Sequence, residues 1–529
     1  MTREASLFAS TTRAFAFWAG CLAVTIGVLL HVPMFLMGRY NHYHLAGMPM
    51  GKGMLFGMYL IVAGFAATAW GLIPRHASKP GSWDEIAPPE DSPLTAAHWI
   101  QIILLAVALI IDIMKAATLG FVVPGMRVEY HITFAHAALV PLSGLTGTTI
   151  GSFLWGALAD FYGRRASILL AGVIFMGTAI CGAMPSYNWN IFMCFMMGIG
   201  AGGMLPVAYA LLAEIMPTRH RGWCLVLIGG IGTVGGYFAT SALSAVLQPY
   251  FGWRIMWLIN MPVALILIAV SPVLQESARF LQSMGRMDEA RETLARFGIS
   301  VEAGRASAAP PAFTPPASPV SIRDLLGVTA ALTLAALAWG FVNFGVMLWL
   351  PGSLVAEGRS MGAASALIAR STLIAIPTIA IVTWLYSAWS TKRVLVLAIG
   401  VTTLGLVCVL LRDRNGFGAL ANPIFMLSLL IVGTSAVISI LLPYAAESYP
   451  LRVRGRATGW VAGFSKAGGL VAQGLGALAL VPALGLAAGL VAIPSILSML
   501  LIAILGRDTK GRDLRELEAG AATGAFAAD

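Results

Sequence analysis

The chain has 529 residues, of which 58% are hydrophobic and 11% are charged, and its formal net charge is +10. A mean hydropathy of +0.83 excludes an ordinary soluble domain, which contains about twice this share of charged residues. The excess positive charge lies in loops between apolar stretches, which indicates membrane topology and contact with anionic lipid headgroups, with no nucleic-acid partner. The composition predicts an all-α polytopic membrane protein.

Fourteen mainly apolar stretches are each long enough to cross a bilayer as a helix. The first is not expected to be a cleaved signal peptide, because its apolar part is too long and no small-x-small cleavage site follows it. The predicted transmembrane helices span approximately residues 14–38, 50–73, 97–125, 134–159, 166–184, 189–215, 223–248, 253–273, 326–356, 361–388, 392–411, 418–446, 457–482 and 484–505.

A soluble insertion divides six of these helices from the last six, and its later part, "GRASAAPPAFTPPASPVS", has the composition of a linker. Two linked bundles of six helices are the layout of a transporter with its substrate site between related halves. The first two helices lie outside this plan and are predicted to form an N-terminal hairpin. The expected division is hairpin 1–75, connector 76–95, first bundle 96–273, linker 274–325, second bundle 326–505 and tail 506–529.

Basic residues are concentrated in alternate loops, and these loops together with the two termini hold most of the 33 Lys and Arg. By the positive-inside rule these segments face the cytoplasm, so both termini are expected there. We expect the protein to lie in the inner membrane of a bacterium.

The segment "GALADFYGRR", residues 156–165, joins the second and third helices of the first bundle. Its glycines permit a sharp turn, and the Asp160 carboxylate can accept hydrogen bonds from Arg164. The segment resembles the G-x-L-x-D-x-x-G-R-R signature of the major facilitator superfamily of transporters. In that family the loop latches the two halves, so the resemblance assigns a gating role to Asp160, Gly163, Arg164 and Arg165.

Two further segments are similar to each other, "AEIMPTRHRG" at 213–222 and "AESYPLRVRGRATG" at 446–459. Each places a glutamate at a helix end beside arginines, a charge-assisted cluster that can hold a closed gate. Together with "LQESARFLQSMGRMDEA" at 274–290 and "RDTKGRDLRELE" at 507–518, they resemble the sugar porter and metabolite-H⁺ symporter branches. The resemblance adds to the gating set Glu214, Arg219, Arg221, Glu447, Arg452 and Arg454.

The chain departs from sugar porters where the substrate would bind. Cys194 stands where an arginine often precedes the motif of the fourth helix, and the Gln and Asn residues that hold hexose hydroxyls have no clear counterparts. The second-half equivalent of the signature loop, "SAWSTKR" at 387–393, lacks the Asp and the Gly. We therefore do not expect a sugar substrate.

Four charged side chains lie deep within predicted helices, namely Asp112, Lys115, Arg370 and Lys466. Each would cost at least about 2.5 kcal/mol if it faced lipid at mid-membrane, so each is expected to face a cavity or a partner. Three cations against one anion leave positive charge that a substrate carboxylate would compensate. For each cation taken singly, the alternative is that a lysine snorkels to the interface or that Arg370 caps a neighbouring helix.

Asp112 and Lys115 are three residues apart, on one helix face, where they can pair. An anion that binds Lys115 would release Asp112 to take up a proton, which would couple the two events. The stretch resembles the D-G-F-D-x-x-x-x-x-G-F-x-x-P element of aromatic-acid/H⁺ symporters, although Lys115 replaces the second Asp. Cations in the first, eighth and eleventh core helices also resemble those of monocarboxylate and oxalate carriers.

Five further polar residues are weaker candidates to line the cavity, because interhelical packing explains them equally well. They are Asn343, Tyr209, Tyr237, Gln473 and His136.

Residues 31–58 of the predicted hairpin are rich in Met and His, which suit a soft metal ion such as Cu(I). Interfacial packing explains this composition better, because scattered Met and a single HxH lack a closed ligand geometry.

No nucleotide-binding loop, HExxH or GxSxG motif is present, so we expect no enzyme, cofactor or resident metal. We interpret the chain as a monomeric, proton-coupled transporter that moves a small organic carboxylate by alternating access. Transport of another polar metabolite or of a soft metal ion is the alternative.

Overall fold

The computed structural model describes residues 8–74, 93–270, 273–299, 322–412, 422–449 and 451–509, and this part of the chain is helical with no strand. The N-terminal helices are α1 (Thr11–Leu29), α2 (Val32–Met37) and α3 (Lys52–Gly71). The first half contains α4 (Ala96–Glu129), α5 (Phe134–Tyr162), α6 (Arg164–Gly177), α7 (Tyr187–Ile215), α8 (Thr218–Phe251), α9 (Ile255–Leu258) and α10 (Asn260–Val270).

Two short helices, α11 (Ala278–Ser283) and α12 (Met287–Arg296), follow the first half. The second half contains α13 (Ile322–Phe341), a π-helical turn (Val342–Val346), α14 (Met347–Ala356), α15 (Met361–Ala388), α16 (Thr391–Leu411), α17 (Pro423–Ser448), α18 (Leu451–Ala477) and α19 (Leu484–Leu505). The two halves pack together through α8 against α15 and α17, α4 against α14, and α5 against α18.

Twelve helical segments among the described residues are long and apolar enough to cross a membrane. The predicted stretch 253–273 is divided between α9 and α10, which together form a shorter apolar segment, Ile255–Val270. The predicted stretch 457–482 overlaps α18, which carries Lys466. An all-helical membrane protein is thus confirmed, whereas a total of fourteen transmembrane helices stays a prediction.

Helices α1 and α3 pack closely through glycines. A Cβ atom added to Gly27 would lie 2.7 Å from the Gly57 carbonyl oxygen, and one added to Gly64 would lie 2.7 Å from the Gly20 carbonyl oxygen. Small residues spaced seven apart on both helices let the two backbones approach, which is how apolar helices associate within a membrane.

This pair of helices also covers α6 of the first half. The Thr25 hydroxyl of α1 contacts the Met176 sulfur at 3.4 Å, and both α1 and α3 pack against α6. In the most apolar stretch of the segment Arg164–Ala183, which begins with α6, 94% is buried. The corresponding share for α16, the third helix of the second half, is 56%. The packing of α1 and α3 against α6, together with that of α7 and α10, accounts for this greater burial.

A buried ion pair ties the loop after α2 to the first half. Glu129 is bonded to Arg254 at 2.6 Å, and both side chains are at most 1% exposed. The same carboxylate accepts hydrogen bonds from the backbone N–H groups of Leu45 at 2.7 Å and Ala46 at 2.9 Å, and from the Trp253 indole at 2.8 Å. Glu129 therefore joins three segments of the chain at the end of α4.

We expect Glu129→Gln to destabilise the protein by about 3–5 kcal/mol, because the substitution leaves the Arg254 guanidinium buried without its counter-ion. The matched control is Glu357→Gln, which breaks the partly exposed pair between Glu357 and Arg412 and should cost about 1 kcal/mol or less. Thermal unfolding of both purified variants measures the difference. Equal unfolding temperatures for the two variants would show that Glu129 does not anchor the loop.

Candidate functional site

Lys466 of α18 reaches from the second half to the first. Its ammonium group donates a hydrogen bond to the hydroxyl of Ser152 on α5. The Ser152 hydroxyl lies 2.8 Å from the Thr148 carbonyl oxygen and 2.9 Å from that of Gly202 on α7. Within the described residues Lys466 forms no ion pair. A cation thus lies between the halves with a neutral oxygen as its hydrogen-bond partner, a position that an anion can complete.

The Asp112 carboxylate of α4 is buried beside this cation. Asp112 is 5% exposed, and its Oδ1 atom has no hydrogen-bond partner. Two cations act on the carboxylate, Lys466 and Lys115, and within the described residues neither forms an ion pair with it. Asp112 and Lys466 therefore lie near each other, and both can still form a hydrogen bond with a third group.

Lys115 points away from the space between the halves. Its ammonium donates to the Phe175 carbonyl at 2.5 Å and to the Thr178 hydroxyl at 2.6 Å, and lies 4.5 Å from the centre of the Phe175 ring. These groups form the end of α6, where the last carbonyls lack helical donors and a cation is favourable. The structure therefore uses Lys115 to cap α6 inside the first half, and the predicted Asp112–Lys115 pair does not form.

Arg370 lies on an exposed face of α15. Leu373, Ile374 and Trp384 share that face and are 49%, 50% and 64% exposed. Large exposed apolar side chains at this spacing mark the surface of a membrane helix that meets lipid. The structure therefore does not bring the three predicted cations together, since only Lys466 lies between the halves.

Asn343 lies in the π-helical turn of the second half, and it also bonds across the halves. Its Oδ1 atom accepts a hydrogen bond from the Tyr237 hydroxyl of α8 at 2.9 Å. In the same turn the Phe344 carbonyl accepts a hydrogen bond from the Gln473 amide of α18. π-Helical turns are frequent at functional sites because they break the regular backbone pairing. Tyr209 is half-buried in α7, whereas His136 is at the start of α5, where its ring bonds the Thr133 hydroxyl at 2.9 Å.

The predicted gating loop is held by charges of the first half, and we call this side of the protein the latch side. Arg164 lies 3.4 Å from the Asp160 carboxylate and 3.0 Å from that of Glu214. The backbone N–H groups of Arg164 and Arg165 donate to Glu276, at 2.9 Å and 3.2 Å. Burial raises the pKa of the Glu276 carboxyl above its ordinary value, an effect that these hydrogen bonds oppose. Glu276 lies in the segment at 274–290, and nothing in the sequence pattern predicts that it bonds this loop.

Glu447 brings the two halves together on the latch side. Its carboxylate accepts hydrogen bonds from the Tyr386 hydroxyl at 2.8 Å and the Thr509 hydroxyl at 2.6 Å. A Cβ added to Gly222 of α8 would lie 2.9 Å from the Glu447 Oε1 atom. Of the other predicted gating residues, Arg219 is exposed and Arg221 is half-buried at the start of α8. Arg452 and Arg454 belong to α18, and their side chains are outside the described residues.

Most methionines of the Met- and His-rich segment pack in or against the hydrophobic core. Met34 and Met54 are 6% and 4% exposed and belong to the hydrophobic core, while Met48, Met50 and Met58 pack against it. Within the described residues no three His, Cys, Asp or Glu side chains are grouped to hold a metal ion.

Comparison with known proteins agrees with this architecture. The sequence model of the Major Facilitator Superfamily matches residues 105–472, more than two thirds of the chain. The chain belongs to the major facilitator superfamily. Its members are transporters, so this chain is a membrane transporter and not an enzyme.

Relatives in this superfamily include transporters of small organic acids. The niacin transporter NiaP of Acinetobacter baylyi is 26% identical over 398 residues, which cover 72% of this chain and 87% of that protein. The gallate transporter of Pseudomonas putida is 27% identical, covering 75% and 89%. The 4-hydroxybenzoate transporter PcaK of the same species is 27% identical, covering 73% and 87%. These relatives confirm the resemblance to aromatic-acid symporters.

The fold resembles that of the xylose transporter XylE from E. coli. A structure of this proton:xylose symporter aligns with a TM-score of 0.62 at 18% identity, over 80% of this chain and 99% of that one. At this identity the likeness concerns the fold alone.

We expect Gly163→Ala to destabilise the latch side. Gly163 has φ +97° and ψ 163°, a conformation that only glycine adopts readily, and an added Cβ would lie 2.4 Å from the Glu276 carboxylate. The strain and the clash together should cost about 1–3 kcal/mol, measured as a lower temperature of thermal unfolding. The control is Gly156→Ala in the same motif, where an added Cβ meets nothing within 4 Å. If both variants unfold at the wild-type temperature, the loop is not constrained as described.

Proposed function

We propose that the protein is a proton-coupled transporter of a small aromatic carboxylate, and that Lys466 binds the carboxylate between the two halves. The observation that carries this proposal is the contact of Lys466 with Ser152, which leaves a cation between the halves with no carboxylate bonded to it within the described residues. An ammonium group has three donors, so Lys466 can keep Ser152 and still bind an anion.

The relatives support an aromatic acid as substrate. Niacin, gallate and 4-hydroxybenzoate, named for three of the relatives, are all carboxylic acids on a planar ring. Asn343 and its partner Tyr237 supply polar groups near the π-helical turn, and we propose Asn343 as a substrate contact that becomes available when the halves move. We assign Lys115 and Arg370 no contact with the substrate, because one caps α6 and the other lies on the exposed face of α15.

Asp112 is the proposed proton site. Its carboxylate lies near Lys466 and Lys115, which partly compensate its charge, and within the described residues it forms an ion pair with neither. An anion bound to Lys466 would withdraw part of that compensation from a buried carboxylate, and protonation would then remove the uncompensated charge. Binding of substrate and proton would thereby favour each other.

Alternating access is proposed to come from rocking of the two halves. The Glu447 cluster, where Gly222 of the first half lies close to the Glu447 carboxylate of the second, would hold the latch side closed and would separate when it opens. The Arg164 cluster would hold the signature loop of the first half in place. We propose that this side faces the cytoplasm of a bacterium, together with both termini, and that the monomer in its lipid bilayer is the functional unit. The positive-inside distribution of Lys and Arg supports this orientation.

We expect Lys466→Gln to reduce carboxylate uptake by about a hundredfold or more, because the variant removes the charge that binds the anion. Radiolabelled 4-hydroxybenzoate and nicotinate uptake into proteoliposomes under an imposed pH gradient measures the effect. Arg370→Gln is the matched control, since it removes another intramembrane cation from the same half and should retain uptake. Unchanged uptake in Lys466→Gln, or equal loss in both variants, would contradict the proposed site.

We expect Asp112→Asn to abolish accumulation driven by the pH gradient while exchange of internal for external substrate continues. The variant cannot take up a proton on this side chain, but Lys466 can still bind the anion. Counterflow and gradient-driven uptake, measured on the same proteoliposomes, separate the two activities. Undiminished accumulation would exclude Asp112 as the proton site.

A further inference from the structure

A cleft lies between the halves on the side opposite to the latch side. Its empty space, together with the solvent at its open mouth, is about 620 Å³. Its walls come from the last turns of α4 and the first turns of α5 in the first half, and from α14 and α18 in the second. We call this cleft the vestibule.

Three polar atoms of the residues that line the vestibule have no hydrogen-bond partner. They are the Nε of Arg127, the indole Nε1 of Trp349 and the amide Oε1 of Gln473. Because the Gln473 Nε2 group donates to the Phe344 carbonyl, Oε1 is the Gln473 atom left to accept. Polar groups of proteins are usually bonded, so these two donors and one acceptor on the lining residues of one cleft can serve a ligand that enters it.

The arrangement of these groups indicates the chemistry of that ligand. The Arg127 guanidinium forms no ion pair within the described part of the chain, and it lies 5.6 Å from the centre of the Phe134 ring. A guanidinium presents a planar fork that matches a carboxylate. Phe134, Pro124, Pro141 and Trp349 line the cleft with flat apolar surfaces, which suit a planar ring.

We propose that the vestibule is a second binding site of this transporter, which captures an aromatic monocarboxylate before it reaches Lys466. Arg127 binds the carboxylate, the ring lies among the apolar walls, and Trp349 and Gln473 bond a second polar group of the ring, such as a hydroxyl. Gln473 is seven residues after Lys466 on α18, about 10 Å along the helix, so the two sites are successive positions on one path. The passage of the ligand to Lys466 rests on the proposed function, whereas binding in the vestibule does not.

Equilibrium binding of radiolabelled 4-hydroxybenzoate to the full chain in nanodiscs tests this proposal. The Lys466→Gln variant should retain one class of site, and adding Arg127→Ala to it should weaken that binding about ten- to hundredfold, as expected for loss of charge-assisted hydrogen bonds. Trp349→Phe in the same background keeps the ring but removes the N–H donor, and should weaken binding to a smaller extent. Arg359→Ala is the control, because Arg359 is an exposed cation in the loop after α14 and does not line the vestibule.

The outcomes separate the two proposals. If Lys466→Gln binds no 4-hydroxybenzoate, or if Arg127→Ala binds it as Arg359→Ala does, the vestibule site is overturned. If Lys466→Gln still transports 4-hydroxybenzoate while adding Arg127→Ala abolishes binding of this ligand, the central site is wrong and the vestibule site stands.

In otherwise wild-type protein, Arg127→Ala should raise the KM for uptake from the vestibule side and leave kcat unchanged. An unchanged KM would exclude a role for the vestibule in capture.

Discussion

A charged side chain inside a membrane protein must be compensated by the protein, because lipid offers no hydrogen bonds and no counter-ions. Three cations in the interior of this transporter meet that requirement in different ways. Arg254 has a carboxylate, Glu129, and Lys115 has a carbonyl in the last turn of α6 and a threonine hydroxyl. Lys466 has the Ser152 hydroxyl. The account of transport depends on this difference, since an anion can still improve the surroundings of Lys466.

The N-terminal helices α1 and α3 pack against the first half. They cover α6, and the loop between them is bonded to Glu129 at the end of α4. If the halves rock against each other, this pair would therefore move with the first half as one body. The vestibule and the central site both lie between the halves, so the same rocking would change the distance between Arg127 and Trp349 and between Ser152 and Lys466.

The helices and the loop at 156–165 could be predicted from the sequence. Long apolar runs, and a motif in which most positions are specified, are compatible with few other structures. The partners of the buried cations could not be predicted. The spacing of Asp112 and Lys115 fixes a shared helix face but not which neighbouring helix that face meets.

The lipid-facing position of Arg370 could be predicted from the sequence, because Leu373, Ile374 and Trp384 recur at helical spacing beside it. The sequence carries no signal for the roles of Ser152 and Glu276, because single polar residues in such segments can pack, cap a helix or bind a ligand. Arg127 follows a predicted helix, where a single basic residue carries no signal of a binding site.

The most direct test of the central claim is an experimental structure of the full chain in nanodiscs with 4-hydroxybenzoate bound at saturating concentration. The account predicts density for the ligand between the halves, with a carboxylate oxygen within about 4 Å of the Lys466 ammonium nitrogen, the distance of an ion pair. A ligand bound elsewhere between the halves, with Lys466 still bonded to Ser152 and no carboxylate beside it, would contradict the account.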